Sequence, residues 1–341
     1  LKALLSGPQL ALVKRYFGVT ADGNFLDHSD PEPLPDQNVL FLAEPNWKRT
    51  ADEQLALDAA LTLMREVREK RVPPATDDKV LASWNGLMIA ALARAGRVLA
   101  EPRYLQAAEK AHGFVKKKLW DGEKKVLYHR WRDGERDTSQ QAESYLYFLR
   151  GSRRLYEMTL KDEYLELAIT LAEEAVRRFG DEKRGGFYDG EARKDLVMRL
   201  KGDFDSATPT AGSVGAVELV KLGEITGRKD FREIGRKGME SVAGGLQESP
   251  FAMAEMLRAI DFETAKPSRL VLTAGEGREA MLEAAWRTYR RNLVVLGNSG
   301  PLDAFTLGLQ AKDGKATAFL CVGQSCKLPV TAAGKLEALF T

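Results

Sequence analysis

Three stretches of this 341-residue chain repeat one pattern, and that pattern restricts the fold more than any single residue does. Each pairs an apolar segment of helical length with a second segment that opens near an aromatic. The first runs from Trp84-Asn85-Gly86 to Leu99, then from Pro102-Arg103-Tyr104-Leu105 to Leu119. The second runs from Glu143-Ser144-Tyr145 to Leu160, then from Asp162-Glu163-Tyr164-Leu165 to Phe179. The third runs from Ala211-Gly212-Ser213 to Ile225, then from Lys229-Asp230-Phe231 to Val242. Tyr104, Tyr164 and Phe231 recur at spacings of 60 and 67 residues. Within the segments apolar residues step by three and four, as at Leu165, Ala168, Leu171, Ala172 and Ala175. Units of this size are helical hairpins that cannot bury their apolar faces alone, so they stack, in an open solenoid or a closed toroid.

Further helices fit Pro8–Tyr16, Ala51–Arg71 and Pro250–Ile260, while Lys125–Trp131 and Gly185–Leu200 alternate as β-hairpins do. Short turns alternating with longer β-bearing loops favour the toroid, with the long loops gathered on the rim that holds a pocket. Near Lys266-Pro267 the character changes. Arg269–Leu272 and Asn292–Leu296 read as strands flanking a helix over Gly277–Arg290, with another strand at Ala316–Val322 and a last helix over Thr331–Phe340. The expected organisation is a mainly α chain: a helical-hairpin toroid over residues 1–265, with short rim hairpins, and a small α/β module over 266–341. Gly275 and Gly277 follow a strand, but one short Gly-x-Gly is no phosphate loop.

The charge balance, Lys+Arg 51 against Asp+Glu 49, gives no electrostatic footprint for a nucleic acid or a membrane surface, and neither is expected as a partner. The densest basic run, Lys116-Lys117-Lys118, suits a helix C-terminus. No apolar run approaches the roughly 20 residues of a membrane span. The chain opens at Leu1 with no secretory pattern after it, as expected of a fragment or processed piece of a larger protein. Two cysteines exclude a disulfide-stapled scaffold and fit a reducing cytoplasm.

The stretch from Asp77 to Ile89 is the first candidate for a site. It places two carboxylates, Ser83, Trp84 and Asn85 at the start of an otherwise apolar helix, where such groups are costly unless they face a cavity or one another. Carboxylates in corresponding parts of successive repeats are Asp77 or Asp78, Glu143, and Asp203 or Asp205. Repeat symmetry can bring two of them to one rim as the acid and base or nucleophile of glycoside hydrolysis. The competing reading makes Asp77 or Asp78 a helix cap and the others partners of Lys79, Arg199 and Lys201. Trp84 could stack on a sugar ring, with Trp131, Tyr145 and Tyr188 lining the same cavity, or all four could be core aromatics. Asn85 suits hydroxyls and equally suits tying adjacent helices together.

Several of these segments resemble a known family. Gly23-Asn24-Phe25, Asn38-Val39-Leu40, Asp77–Ala91 with its Ser83-Trp84-Asn85-Gly86-Leu87-Met88 string, and Gly185-Gly186-Phe187-Tyr188 come first. Arg199 with Lys201 and Asp205 with Pro209 and Ser213 follow, and then the tail from Gly314 through Cys321, Cys326, Pro329, Val330 and Thr331. In this order they resemble the region after the thioredoxin-like domain in the YyaL-type thioredoxin-domain-containing family, which includes spermatogenesis-associated protein 20. The resemblance implies a six-hairpin glycosidase-like (α/α)6 toroid, in which Trp84, Asn85, Tyr145, Tyr188 and Ser213 are the candidate contacts for a sugar ligand. It also implies a thioredoxin-like domain, absent from this chain, that would partner the toroid from the same or another chain. The repeats supply about nine helices where the full ring has twelve. The chain departs from the family where Ser144 replaces one of two acids, where Gly212 replaces an asparagine, and where Ala75 stands near a histidine position.

Chemistry is narrowed further by what the chain lacks. His28, His112 and His129 form no His-Glu-x-x-His or zinc spacing, and no Gly-x-Ser-x-Gly elbow is present, so neither a metal nor another cofactor is expected. Paired histidines of an epimerase are poorly matched, with only His129 near a rim hairpin. Cys321 and Cys326 have four residues between them rather than two. They are either reduced thiols or a redox-responsive disulfide whose turn closes the Cα gap below about 7 Å. Three functions follow as expectations: a carbohydrate-active or carbohydrate-binding toroid (a glycoside hydrolase or sugar isomerase if catalytic), a non-catalytic scaffold for a thioredoxin-like domain, or a redox module through the two cysteines.

Overall fold

The computed structural model describes residues 1–340, and the chain divides into two compact units, Leu1–Asp77 and a second beginning at Asp78. In the first, α1 (Gly7–Phe17) and α2 (Ala51–Glu69) pack through Leu5, Val13, Leu57 and Ala60. Both starts are written in the sequence as capping boxes. For α2, the Thr50 hydroxyl accepts from Glu53 N–H at 3.2 Å while the Glu53 carboxylate accepts from Thr50 N–H at 2.8 Å. Asn24 ties the loop between the helices, donating to the carbonyls of Gly18 and Val39 and accepting from Val39 N–H.

The second unit opens with β1 (Val80–Leu81) and three helical hairpins: α3 (Ala82–Val98) with α4 (Pro102–Lys118), α5 (Ala142–Thr159) with α6 (Asp162–Phe179), and α7 (Ala211–Thr226) with α8 (Lys229–Ser241). Pro102 occupies the first turn of α4, where its missing N–H is harmless, and Lys116 to Lys118 fill the last turn. Short α9 (Ala243–Glu248) leads to α10 (Ala254–Thr264). The first helices of the hairpins lie side by side, α3 on α5 and α5 on α7, and α10 continues the row beside α7. Their partners α4, α6 and α8 form an outer layer. This is the mainly α, helical-hairpin toroid architecture, present here as a continuous arc. The inner helices approach closely because small residues allow it. A Cβ on Gly86 of α3 would stand 2.5 Å from the backbone nitrogen of Phe148 in α5 and closer still to the Tyr147 carbonyl.

Between α4 and α5 the rim carries β2 (Trp120–Asp121) paired with β3 (Val126–Leu127), then β4 (Arg130–Arg132) paired with β5 (Glu135–Arg136). β1 pairs with β4, Val80 opposite Trp131, which anchors the start of α3 to this rim. The Gly185–Leu200 hairpin does not form. Gly185 and Gly186 take φ of 79° and 74°, and the loop makes only isolated bridges, Gly180 with Phe187 and Gln141 with Gly190. The Arg199 guanidinium, donating to the carbonyls of Gly190 and Arg178, takes the place of a ladder.

The C-terminal segment forms a four-stranded sheet in the order β7-β6-β8-β9, from β6 (Ser268–Leu272), β7 (Leu293–Leu296), β8 (Ala318–Val322) and β9 (Ser325–Cys326). α11 (Arg278–Arg287) crosses over between the parallel strands β6 and β7. This sheet packs on the arc: β7 against α5 and α7, α11 against α3. Gly297 N–H, just past β7, donates to the buried Tyr156 hydroxyl of α5 at 3.1 Å. α12 (Ala304–Leu307) follows, capped by Asp303. The last helix expected over Thr331–Phe340 is instead two 3₁₀ turns, Ala333–Lys335 and Glu337–Leu339. Leu336 and Leu339, both buried, are three residues apart, a spacing that one 3₁₀ turn aligns on one side.

Candidate functional site

The helices α5 and α7 both present their N-termini to the loop-bearing rim, and two adjoining cavities of about 360 and 260 Å³ open there, sharing Gly202 in their walls. Glu143, Asp189, Tyr147, Gln141, Ser206, Thr208 and Thr210 line the smaller one. The bridge from Gln141 to Gly190 explains the pairing of acids. It carries the hydrogen bond from Ala142 N–H to Asp189 O at 2.9 Å and so sets Asp189 beside the first turn of α5, where Glu143 sits.

The two carboxylates have different surroundings. Asp189 reaches solvent at the cavity mouth, yet the walls strip enough water from it, with Asp203 adding repulsion, to hold its pKa above the usual carboxylate value. One of its oxygens accepts from Gly202 N–H at 3.2 Å. Glu143 is half-buried and lies 4.0 Å from His129 Nδ1, which also meets Ser144 Oγ at 2.9 Å. Ser144, the residue at the departed acid position, therefore holds His129 beside Glu143. Tyr147, four residues on from Glu143 on the same helix face, is held by a hydrogen bond from its hydroxyl to Pro209 O, and burial pushes its pKa up to about 12.

In the larger cavity Tyr188 is fixed from both sides. Its hydroxyl donates to Asp181 at 2.9 Å, and its ring lies 4.1 Å from the Arg199 guanidinium and 4.9 Å from Lys201 Nζ. Asp181 is buried, and the Lys201 ammonium at 2.7 Å together with the backbone N–H of Arg184 hold its carboxyl far below the usual range. Asp203 lines this cavity as well.

Other sequence candidates sit elsewhere. Asp205 is a structural clamp: one oxygen accepts from Thr210 N–H at 2.7 Å and the other from Glu255 N–H at 2.9 Å, joining the starts of α7 and α10. Ser213 is buried behind Thr210, which caps α7. Tyr145 is wholly buried, accepting from Leu127 N–H and donating to Gln140. Asp78 pairs with Arg132 at 2.7 Å, Trp84 stands exposed on the first turn of α3, and Asn85 donates to Leu81 O within that turn. Asp77 ends the first unit. His112 is buried in the hairpin core and His28 is exposed in the first unit. Trp131 packs edge-on to Phe114. Cys321 and Cys326, opposite each other on β8 and β9, form a disulfide with Cα atoms 3.9 Å apart. No cluster of metal-ligating side chains occurs among the described residues. Asp189 is the acid that sequence reasoning passed over, although it directly follows Tyr188 in a glycine-flanked loop.

Fold and rim together define a class: a helical-hairpin toroid with an acid-lined groove at its loop-bearing end. Along nearly its whole length the chain is similar to spermatogenesis-associated protein 20. The human protein is 28% identical over 357 residues, 96% of this chain and 45% of that protein. An uncharacterized protein of Caenorhabditis elegans is 28% identical over 99% of this chain and 49% of its own length. The chain thus spans about half the length of the curated relatives it matches. No family model matches it. Similar solved structures include a GH76 alpha-mannanase from Bacteroides thetaiotaomicron, with 12% identity and a TM-score of 0.45 over 69% of this chain and 68% of that one. Cellobiose 2-epimerase from Bacillus thermoamylovorans has 15% identity and a TM-score of 0.41 over 48% of this chain and 44% of that one.

Proposed function

We propose that the rim groove binds a carbohydrate and acts on it through Asp189 and Glu143. The observation that carries this reading is the presence of both acids in one open cavity, with Asp189 held protonated to higher pH than an ordinary aspartate. Two carboxyl groups in unequal environments divide into acid and base. Asp189 protonates the departing glycosidic oxygen. Glu143, on the first turn of α5, either takes the proton of an attacking water or attacks the anomeric carbon itself. Gln141, Ser206, Thr208 and Thr210 supply the donors and acceptors that a polyhydroxyl ligand requires.

The test is turnover of a panel of glycosides, oligosaccharides and uronic acids, followed by released reducing ends and by NMR for epimerised products. One substrate class is expected to react, with Asp189→Asn and Glu143→Gln each reducing the rate by about 10²–10⁴-fold. Absence of both binding and turnover across the panel by the folded wild-type chain overturns the proposal. A second reading has its own observation. Leu196, Val197, Met198, Leu200 and Phe204 are all exposed on the rim loop, a surface suited to seating a protein such as a thioredoxin-like domain. Binding of such a domain, with no sugar bound, would favour the scaffold.

A further inference from the structure

A third cavity, of about 140 Å³, lies at the opposite end of the inner helices, where the α/β sheet packs on the arc. Its walls carry Arg94 of α3, Arg154 of α5, Lys221 of α7, Arg258 of α10, and Arg290 and Arg291 from the loop before β7. Against these six cations stands one lining carboxylate, Asp261, which is already engaged by Arg291 and Asn292. The remaining counter-charges are shared. Glu157 serves Arg154 at 2.9 Å but also Arg153 at 2.5 Å, and Glu255 serves Arg258 at 2.6 Å but also Arg150. Arg290 pairs with Glu337.

Two cations, Arg94 and Lys221, make no salt bridge or hydrogen bond among the described residues. Arg94 lies by the Tyr289 ring, 5.7 Å from its guanidinium carbon, and Lys221 by the Phe262 ring, 5.3 Å from Nζ, with Glu157 and Glu218 acting on that ammonium through their field and not through a bond. Trp286, in the same wall, has a buried indole N–H without an acceptor. Every unmatched group here is a donor, so the complementary partner is an acceptor bearing negative charge. Burial, with Arg153 and Arg154 adding, outweighs the pull of Glu157 and Glu218 and drives the Lys221 ammonium far below its usual pKa, a bias that a neighbouring anion opposes.

We infer that this cavity is a binding site for a small phosphate-bearing anion, held by Lys221 and Arg94 and by the arginine forks around them. Planar guanidinium groups match the several oxygens of a phosphate two at a time, and the volume, below the roughly 300 Å³ of a drug-sized pocket, limits the ligand to phosphate with a short organic stem. The site rests on different residues from the rim groove and stands or falls without it.

Titration calorimetry and thermal shift at constant ionic strength test it, using inorganic phosphate, glycerol 3-phosphate and succinate. Wild type is expected to bind phosphate or glycerol 3-phosphate, with the affinity reduced about 10- to 100-fold in Lys221→Met and in Arg94→Gln, the loss of one charge-assisted contact. Response to inorganic phosphate identifies free phosphate as sufficient. Response to glycerol 3-phosphate alone identifies an organic stem read by Tyr289 and Trp286. No response in wild type, an equal response in all three proteins, or binding of succinate alone overturns the inference. Lys221→Met removes a buried amine and is expected to fold, and Arg94→Gln supplies an independent check.

Discussion

Lowering the pH from 7 to 5 should cost this protein about 2 kcal/mol of stability through one side chain, His112 of α4. His112 is buried between α4 and α5, stacked on Phe148 with ring centroids 4.9 Å apart and edge-on to Tyr164. Its Nε2 lies 3.0 Å from Ser152 Oγ, and that hydroxyl spends its only proton on Phe148 O at 2.9 Å. Nε2 is therefore the protonated nitrogen, and the neutral ring is the one the site accepts. Burial, reinforced by the Lys116 charge, pushes the pKa down from 6.5 to about 4. A histidine depressed in the folded state is bound by protons more readily when unfolded. Its contribution is thus complete above pH 6.5 and is lost as pH falls toward 4. The gap corresponds to roughly 3 kcal/mol when fully developed, of which about 2 kcal/mol falls between pH 7 and pH 5. Urea unfolding at the two pH values measures it in wild type, His112→Leu and His112→Gln. Leu leaves Ser152 bonded to Phe148, and Gln restores a donor without a charge change. Wild type should lose about 2 kcal/mol more than either variant over this interval. Equal losses in all three would refute a buried neutral His112.

Gly86→Ala should lower stability by about 3 kcal/mol in thermal unfolding. The added methyl meets the α5 backbone, which cannot yield as a side chain would, and this outweighs the gain of about 1 kcal/mol in helix propensity. Glu218→Gln should cost about 3–5 kcal/mol in urea unfolding, because Arg150 and Arg153 lose their shared carboxylate in a buried layer. Thiol titration of the unfolded chain should detect no free cysteine before reduction and two after it, given the Cys321–Cys326 bond. Two thiols without reductant would contradict that pairing.

Much of the fold was legible because it depends on local chemistry. The capping boxes at Ser6 and Thr50, Pro102 at the start of α4, and three- and four-residue apolar steps act within one helix. The repeat spacing then announced hairpins that need neighbours. The rim was less legible because one distant bridge decides it. Asp189 comes to the same cavity as Glu143 through the pairing of Gln141 with Gly190, 49 positions apart, and nothing local distinguishes Asp189 from Asp203 or Asp205. Asp205 carries an equally suggestive position but gives both oxygens to backbone N–H groups. A carboxylate's role follows from what occupies its lone pairs, which spacing does not encode.

The buried charge of α5 shows the same limit from the other side. Arg150, Arg153 and Glu157 follow one another at three- and four-residue steps along α5, with Arg154 next to Arg153, and Arg153 and Glu157 are about as buried as Leu155. The partner of Arg150 and Arg153 is Glu218 of α7, where burial opposes the charge but Arg153 and Arg150 outweigh it and hold the carboxyl far below its usual range. Charges can be buried here only because two inner helices present opposite signs at one level of the arc. From Glu143 to Arg154 is 11 residues of α5, about 16 Å along the helix at 1.5 Å per residue. The Arg150–Arg153–Glu218 layer lies between them, separating the acid-lined rim from the cation-lined cavity.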